Sequence, residues 1–198
     1  MMLATRTFIA IELPAETQAQ LDEIISPMKS KLTGAVRWTP LGNIHVTLKF
    51  LGEVSPSNLE TLKSMVKSLS SKQTEFEIQI GKIGAFPSIK RPRVIWVGVE
   101  MHSALNALQQ SVENEIVKLG YPAEDRPFSP HLTLGRVNHH TTSGEIDKIT
   151  KTLSSIQINK INPFTVNHLT LFKSELKPTG SVYTPLLIGA FRQNLEVK

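Results

Sequence analysis

His45-Val46-Thr47-Leu48 and His131-Leu132-Thr133-Leu134 spell one pattern twice, histidine and threonine alternating with apolar residues. Each copy closes the same point of a larger repeated unit. An apolar run opens at Arg6 (Arg6-Thr7-Phe8-Ile9-Ala10-Ile11) and meets its histidine 39 residues on; a second opens at Arg93 (Arg93-Val94-Ile95-Trp96-Val97-Gly98-Val99) and meets its own 38 residues on. Strict alternation marks a strand with one buried face, on which residues i and i+2 point the same way. His45 and Thr47 therefore share a face, as do His131 and Thr133. Val46, Leu48, Leu132 and Leu134 anchor the opposite face in a core. Related by an approximate two-fold, the two strands gather two imidazoles and two hydroxyls around one centre.

Working outward, Leu21, Ile24, Ile25, Met28 and Leu32 recur at helical spacing, with Pro27 expected to kink or end that helix early. A strand pair is expected around Val36-Arg37-Trp38 and residues 44–51. Ser55-Pro56 reads as an N-cap with proline at N1, opening a helix with Leu59, Leu62, Val66 and Leu69 on its buried stripe. Residues 76–83 alternate as a strand. The second half repeats the order: strand 93–99, then a helix carrying Leu105, Leu108, Val112, Ile116 and Leu119, stopped by Gly120. A proline-punctuated loop, 121–130, delivers His131. Thr142 with Glu145 forms a capping-box pattern before Ile146, Ile149 and Leu153, and strands near 164–172 and 183–190 close the chain.

No linker or low-complexity segment separates the halves. The expectation is one α+β domain over 1–198 with two duplicated lobes, about 1–90 and 91–198, their termini free to cross over. Two largely antiparallel sheets face a central groove, with helices outside. Among 198 residues, 22 Lys+Arg stand against 17 Asp+Glu, a net charge of +5 that suits a polyanion such as RNA. There is no cysteine, which excludes disulfides and thiolate metal sites. No apolar run approaches the roughly 20 residues of a membrane span, and residues 8–13, interrupted by Glu12, make no signal peptide. A cytoplasmic monomer without membrane contact is expected.

Histidine titrates near neutrality, so one imidazole can take a proton while its partner gives one, each such step being worth ~10²–10⁴-fold. A pair suits in-line displacement at phosphorus, with Thr47 and Thr133 donating to the phosphoryl oxygens. An isolated His-x-Thr is most often a satisfied sheet residue; two copies in a duplicated frame are not. His168-Leu169-Thr170-Leu171 spells the tetrapeptide a third time, one element out of phase, and aligns with the stretch holding Ile80 and Ile83, so His168 is expected to be a sheet residue. His139 and His140 with Asp147 nearby complete no metal set, and no cofactor is expected. Arg136, five residues past His131, falls on the far face by alternation unless Gly135 permits a bulge. Lys49 falls on the groove face, as a substrate contact or a solvated lysine. Lys90-Arg91-Pro92-Arg93 reads as a solvated turn and Trp38 as a buried aromatic.

With both motifs placed, the chain resembles the 2H phosphoesterase superfamily, and within it the bacterial and archaeal RNA 2′,3′-cyclic phosphodiesterases, also called 2′-5′ RNA ligases. The resemblance rests on Arg6-x-Phe-Ile-Ala-Ile-x-Leu-Pro14, Arg37-Trp38, Ile44-His-Val-Thr-Leu-Lys-Phe-Leu-Gly-Glu53, Phe86-Pro87, Pro92-Arg93, Pro130-His-Leu-Thr-Leu-Gly-Arg136, Leu171-Phe-x-Ser174 and Gly180-Ser-x-Tyr183. It implies hydrolysis of an RNA 2′,3′-cyclic phosphate to a 2′-phosphate without metal or nucleotide cofactor. His45 would be the proton donor to the 3′-oxygen and His131 the proton acceptor from water, with Arg136 and Lys49 as candidate substrate contacts. Run backwards with a 5′-hydroxyl RNA end, the same site would make a 2′-5′ linkage. The family does not require His168. Other 2H activities on small cyclic nucleotide phosphates or 2′-5′ oligonucleotides share this motif chemistry, and a non-catalytic RNA-end binding module would share the fold.

Overall fold

The computed structural model describes residues 4–156, 161–178 and 180–194. The first strand, β1 (Thr5–Glu12), lies inside the sheet, and its Phe8, Ile9, Ala10 and Ile11 are all buried. Ile9 and Ile11 point into the main core beneath the helices, while Phe8 and Ala10 meet Phe172 in a small cluster on the other face. α1 (Ala15–Lys31) follows. Pro27 does not end it. Pro27 lies on the exposed side, where the carbonyl it leaves unbonded can reach water, while Leu21, Ile25 and Met28 hold the helix on the core.

Next come β2 (Val36–Trp38), a 3₁₀ turn (Leu41–Asn43), β3 (His45–Val54), α2 (Pro56–Ser70), β4 (Phe76–Ile78), β5 (Ile80–Ser88) and β6 (Arg91–Val99). Then follow α3 (Ser103–Lys118), β7 (His131–Val137), α4 (Ser143–Ser155), β8 (Phe164–Val166), β9 (His168–Lys177) and β10 (Gly180–Ala190). The expected caps form. Ser55 Oγ accepts from the Asn58 N–H, Thr142 and Glu145 close a reciprocal box, and Gly120 (φ 86°) ends α3 with its N–H on the Val117 carbonyl and that of Tyr121 on Ile116.

The fold is the expected two-lobed α+β architecture, but where two facing sheets are expected the lobes share one large antiparallel sheet in the order β10-β9-β1-β3-β7-β6-β5, joined at the β3–β7 bridge, with β4 and β8 forming a separate pair. Strands from both halves of the sequence enter each side: β9 and β10 extend β1 and β3, and β2 joins β7. α2 packs on β9 and β10, α3 on β3 and α4 on β6, leaving the opposite face open.

Two registers decide what that open face carries. β2 pairs not with β3, as expected from sequence, but with β7, Val36 opposite Val137 and Trp38 opposite Gly135. β3 touches β7 only at Val46↔Leu132. Because β2 occupies the rest of the β7 edge, β3 diverges and the two lobes open into a groove. The second register is a matched bulge. In β3, Ile9 pairs with Lys49 and Ala10 with Thr47, leaving Leu48 extra; in β7, Ile95 pairs with Gly135 and Trp96 with Thr133, leaving Leu134 extra. One constant offset of 86 residues relates His45 to His131, Thr47 to Thr133, Phe50 to Arg136 and Glu12 to Gly98. By that offset Arg6 corresponds to Pro92, so both apolar runs stand equally far from their histidines.

The bulge turns Lys49 away from the groove, against the alternation expected of it. It is 6% exposed, its Nζ donating to Glu113 Oε1 at 2.7 Å and to the Pro122 carbonyl at 2.9 Å. Glu113 Oε1 also accepts the Glu124 N–H at 2.7 Å. This ion pair staples α3 and the 121–130 loop to β3, fixing the segment that delivers His131. Among the described residues no helix is long and apolar enough to cross a membrane.

Two outcomes follow for stability. A Cβ at Gly135 would stand 2.8 Å from Val36 Cγ1 and 3.1 Å from the Arg37 carbonyl. Gly135→Ala should therefore lift β2 and cost about 1–3 kcal/mol in urea unfolding, the range for overpacking. Lys49→Met should cost on the order of 3 kcal/mol by stranding Glu113, and Lys49→Met with Glu113→Leu should recover most of it.

Candidate active site

Both motif histidines are held in one way. His45 Nδ1 lies 2.8 Å from the Asn43 carbonyl and His131 Nδ1 lies 2.8 Å from the Ser129 carbonyl. A carbonyl only accepts, so each Nδ1 carries the proton and Nε2 is the nitrogen left for chemistry. The i−2 carbonyl of His45 comes from the last residue of the 3₁₀ turn Leu41–Asn43, and that of His131 from the irregular segment 127–130 with its two prolines.

Aromatic walls fix the rings. His45 stacks on Phe8 with centroids 4.7 Å apart and takes the edge of Tyr183 at 5.3 Å. His131 meets Phe86 edge-on at 5.1 Å and stands 6.3 Å from Trp96. Trp96 can lie flat only because Gly84 beneath it has no side chain: a Cβ there would come within 2.3 Å of the indole. Burial outweighs the rest and holds the His45 pKa below the usual histidine value, the Asn43 carbonyl and the Glu12 charge pushing it back up and the charge of His131 adding to the fall. The two imidazoles thus feel one another across the groove. Thr47 and Thr133 are half-buried beside them, and among the described residues neither hydroxyl has a hydrogen-bond partner.

Where the bulge in β3 removes Lys49, its match in β7 delivers Arg136. Its side chain is exposed on the groove face and lines a cavity of about 360 Å³ with Arg37, Trp38, Asn43 and Tyr183. Gly135 is not what permits the bulge, since β3 has the same bulge at Lys49; Gly135 makes room for β2 instead. Arg37 and Arg136 are direct cross-strand partners, and neither is ion-paired among the described residues. Like charges so placed repel, an arrangement an anion relieves.

Three residues escaped the sequence reading. Phe50, at the position matching Arg136, is 47% exposed, stacked on Phe8 at 5.4 Å with the Arg6 guanidinium 5.4 Å from its ring. Binary patterning assigns a phenylalanine there to the core; only the repeat offset to Arg136 could have signalled otherwise. Tyr183 was read as a strand residue and Glu12 as an interruption of an apolar run. Glu12 is the cross-strand partner of His45. His168 is a sheet residue at the head of β9, as expected, with Nδ1 2.6 Å from Asn167 Oδ1 and Nε2 3.3 Å from Glu12 Oε2. His139 and His140 sit exposed in the turn after β7, and no three His, Asp or Glu side chains among the described residues gather as metal ligands. Trp38 is partly buried, and Lys90, Arg91 and Arg93 are exposed around the β5–β6 turn.

The comparisons with known proteins repeat the internal symmetry. The profile of the LigT-like phosphoesterase family matches the chain twice, over residues 11–96 and 97–183. The protein named RNA 2′,3′-cyclic phosphodiesterase from Methanothermobacter thermautotrophicus is 32% identical over 93% of this chain and 97% of its own length. Its namesake from Thermotoga maritima is 33% identical over 96% and 97%. Among solved structures, E. coli LigT complexed with 3′-AMP is similar with a TM-score of 0.73 and 28% identity, over 96% of this chain and 99% of that one. The chain belongs to the LigT-like 2H phosphoesterase family.

Proposed function

We propose that the protein hydrolyses RNA 2′,3′-cyclic phosphate ends to 2′-phosphates by paired-histidine acid/base catalysis. The observation that carries this reading is the matched pair of imidazoles, each locked through Nδ1 to an i−2 carbonyl and presenting Nε2 beside a threonine hydroxyl without a partner. Relatives matching nearly the whole chain bear the name of this activity. E. coli LigT has been crystallised with 3′-AMP and with phosphate.

The reaction balances on these groups. His131 Nε2 takes a proton from water as its oxygen forms a bond to phosphorus; the bond from phosphorus to O3′ breaks, and O3′ leaves with the proton of His45 Nε2. Thr47 and Thr133 donate to the non-bridging oxygens as charge builds on them, and Arg136 neutralises that charge. Phe50 supplies a stacking surface for the terminal base, and Arg37 beside Arg136 faces the next phosphodiester of the RNA strand. Reversal with a 5′-hydroxyl RNA end would form a 2′-5′ linkage. No step uses Lys49.

Product analysis on an RNA ending in a 2′,3′-cyclic phosphate tests the reading: a 2′-phosphate is expected, and a 3′-phosphate would reverse the acid and base sides. His45→Ala and His131→Ala should each lower hydrolysis by ~10²-fold or more, with His139→Ala and His140→Ala near wild type. The rate should trace a bell against pH, because one imidazole must be neutral and the other protonated; a flat profile between roughly pH 5 and 9 would discard the pair.

A further inference from the structure

The two halves present matching histidines but unequal surroundings. By the 86-residue offset, the cross-strand partner of His45 is Glu12 and that of His131 is Gly98. The outer strands differ in the same sense. β9 pairs with β1 as β5 pairs with β6, Thr170 opposite Ala10 where Gly84 stands opposite Trp96, so by the same offset Thr170 answers to a glycine and His168 to the exposed Lys82. Glu12 Oε2 accepts from Thr170 Oγ1 at 2.7 Å and lies 3.3 Å from His168 Nε2. One histidine thus faces a braced carboxylate, the other a bare backbone.

We propose that Glu12 is the positioning residue that makes His45, and not His131, the proton donor, and that Thr170 and His168 hold its carboxylate in place for that task. This rests on the function proposed above. The acid imidazole must keep its proton in a site walled by Phe8, Phe172 and Tyr183, where desolvation disfavours the cation. The groups facing His45 are Glu12 from β1, His131 from β7 and the Tyr183 phenol from β10; those facing Glu12 are His45 from β3 and His168 and Thr170 from β9. Glu12 is the only anion among them. Its charge works with the Asn43 carbonyl against burial and against the His131 charge. On the other side the place of Glu12 is taken by Gly98, which supplies no such counter-charge to His131. The third His-x-Thr thereby finds a use in orienting the acid's counter-ion, without meeting the phosphate.

The test pairs NMR titration of the imidazole C–H signals in the free protein with the pH dependence of kcat/KM on a cyclic-phosphate-ended RNA. Removing the negative charge destabilises the His45 cation, so in Glu12→Gln the His45 titration and the alkaline limb should both move down by roughly one pH unit. The deficit against wild type should widen about tenfold from the acid to the alkaline side. Glu12→Asp should restore most of the displacement, and His168→Ala should give a smaller shift in the same direction. Loss of equal size at every pH with an unmoved His45 titration, or an equal displacement of His131, would overturn the proposal. If the wild type fails to open the cyclic phosphate, the proposed function falls, while the NMR titration still decides the role of Glu12.

Discussion

The single β-bridge between Val46 and Leu132 is the constraint on which the site depends. It fixes the two motif strands side by side at the residues following the histidines, so the imidazoles flank one point. Everything beyond that bridge keeps the strands apart. β2 takes the remaining edge of β7, which requires a glycine at 135, and the divergence this forces on β3 makes the groove. A fully paired β3–β7 ladder would have closed it into flat sheet with strands ≈ 4.8 Å apart.

Chemistry is then delivered by backbone devices more than by side-chain networks. Carbonyls two residues back choose the tautomers, and identical bulges after each His-x-Thr-x rotate the next two residues, sending Lys49 and Gly135 inward and Phe50 and Arg136 to the groove. A duplicated frame keeps these devices in both halves while the residues they aim diverge: an aromatic against a guanidinium, a carboxylate against a glycine. Symmetry supplies two matched imidazoles; its local breaking gives them unlike neighbours.

The histidines, the threonines, the helices and their caps were legible because alternation, 3.6-residue periodicity and capping are local signals. What alternation could not show was the bulge. It inserts one residue and reverses the phase, so the expected faces of Lys49 and Arg136 came out exchanged. The partner of β2 was also hidden, since a three-residue strand carries no sign of choosing an edge about 100 residues away over its neighbour. Pro27 misled because its cost depends on which side of the helix it occupies, a matter of packing. Glu12 read as an interruption because its meaning lies in the residues opposite it on β3 and β9.

The exchange of strands between halves also bears on how the chain acquires its shape as it leaves the ribosome. β5, β6 and β7 are close in sequence and can pair early, whereas β1 needs β9, which follows more than 150 residues later. Until the last quarter of the chain emerges, β1, whose Thr7 to Ile11 are buried in the finished fold, has one open edge, and the wall of Phe172 and Tyr183 around His45 is missing. The His45 side of the groove is therefore the last to be assembled, and a nascent chain halted before β9 exposes an unpaired strand open to aggregation.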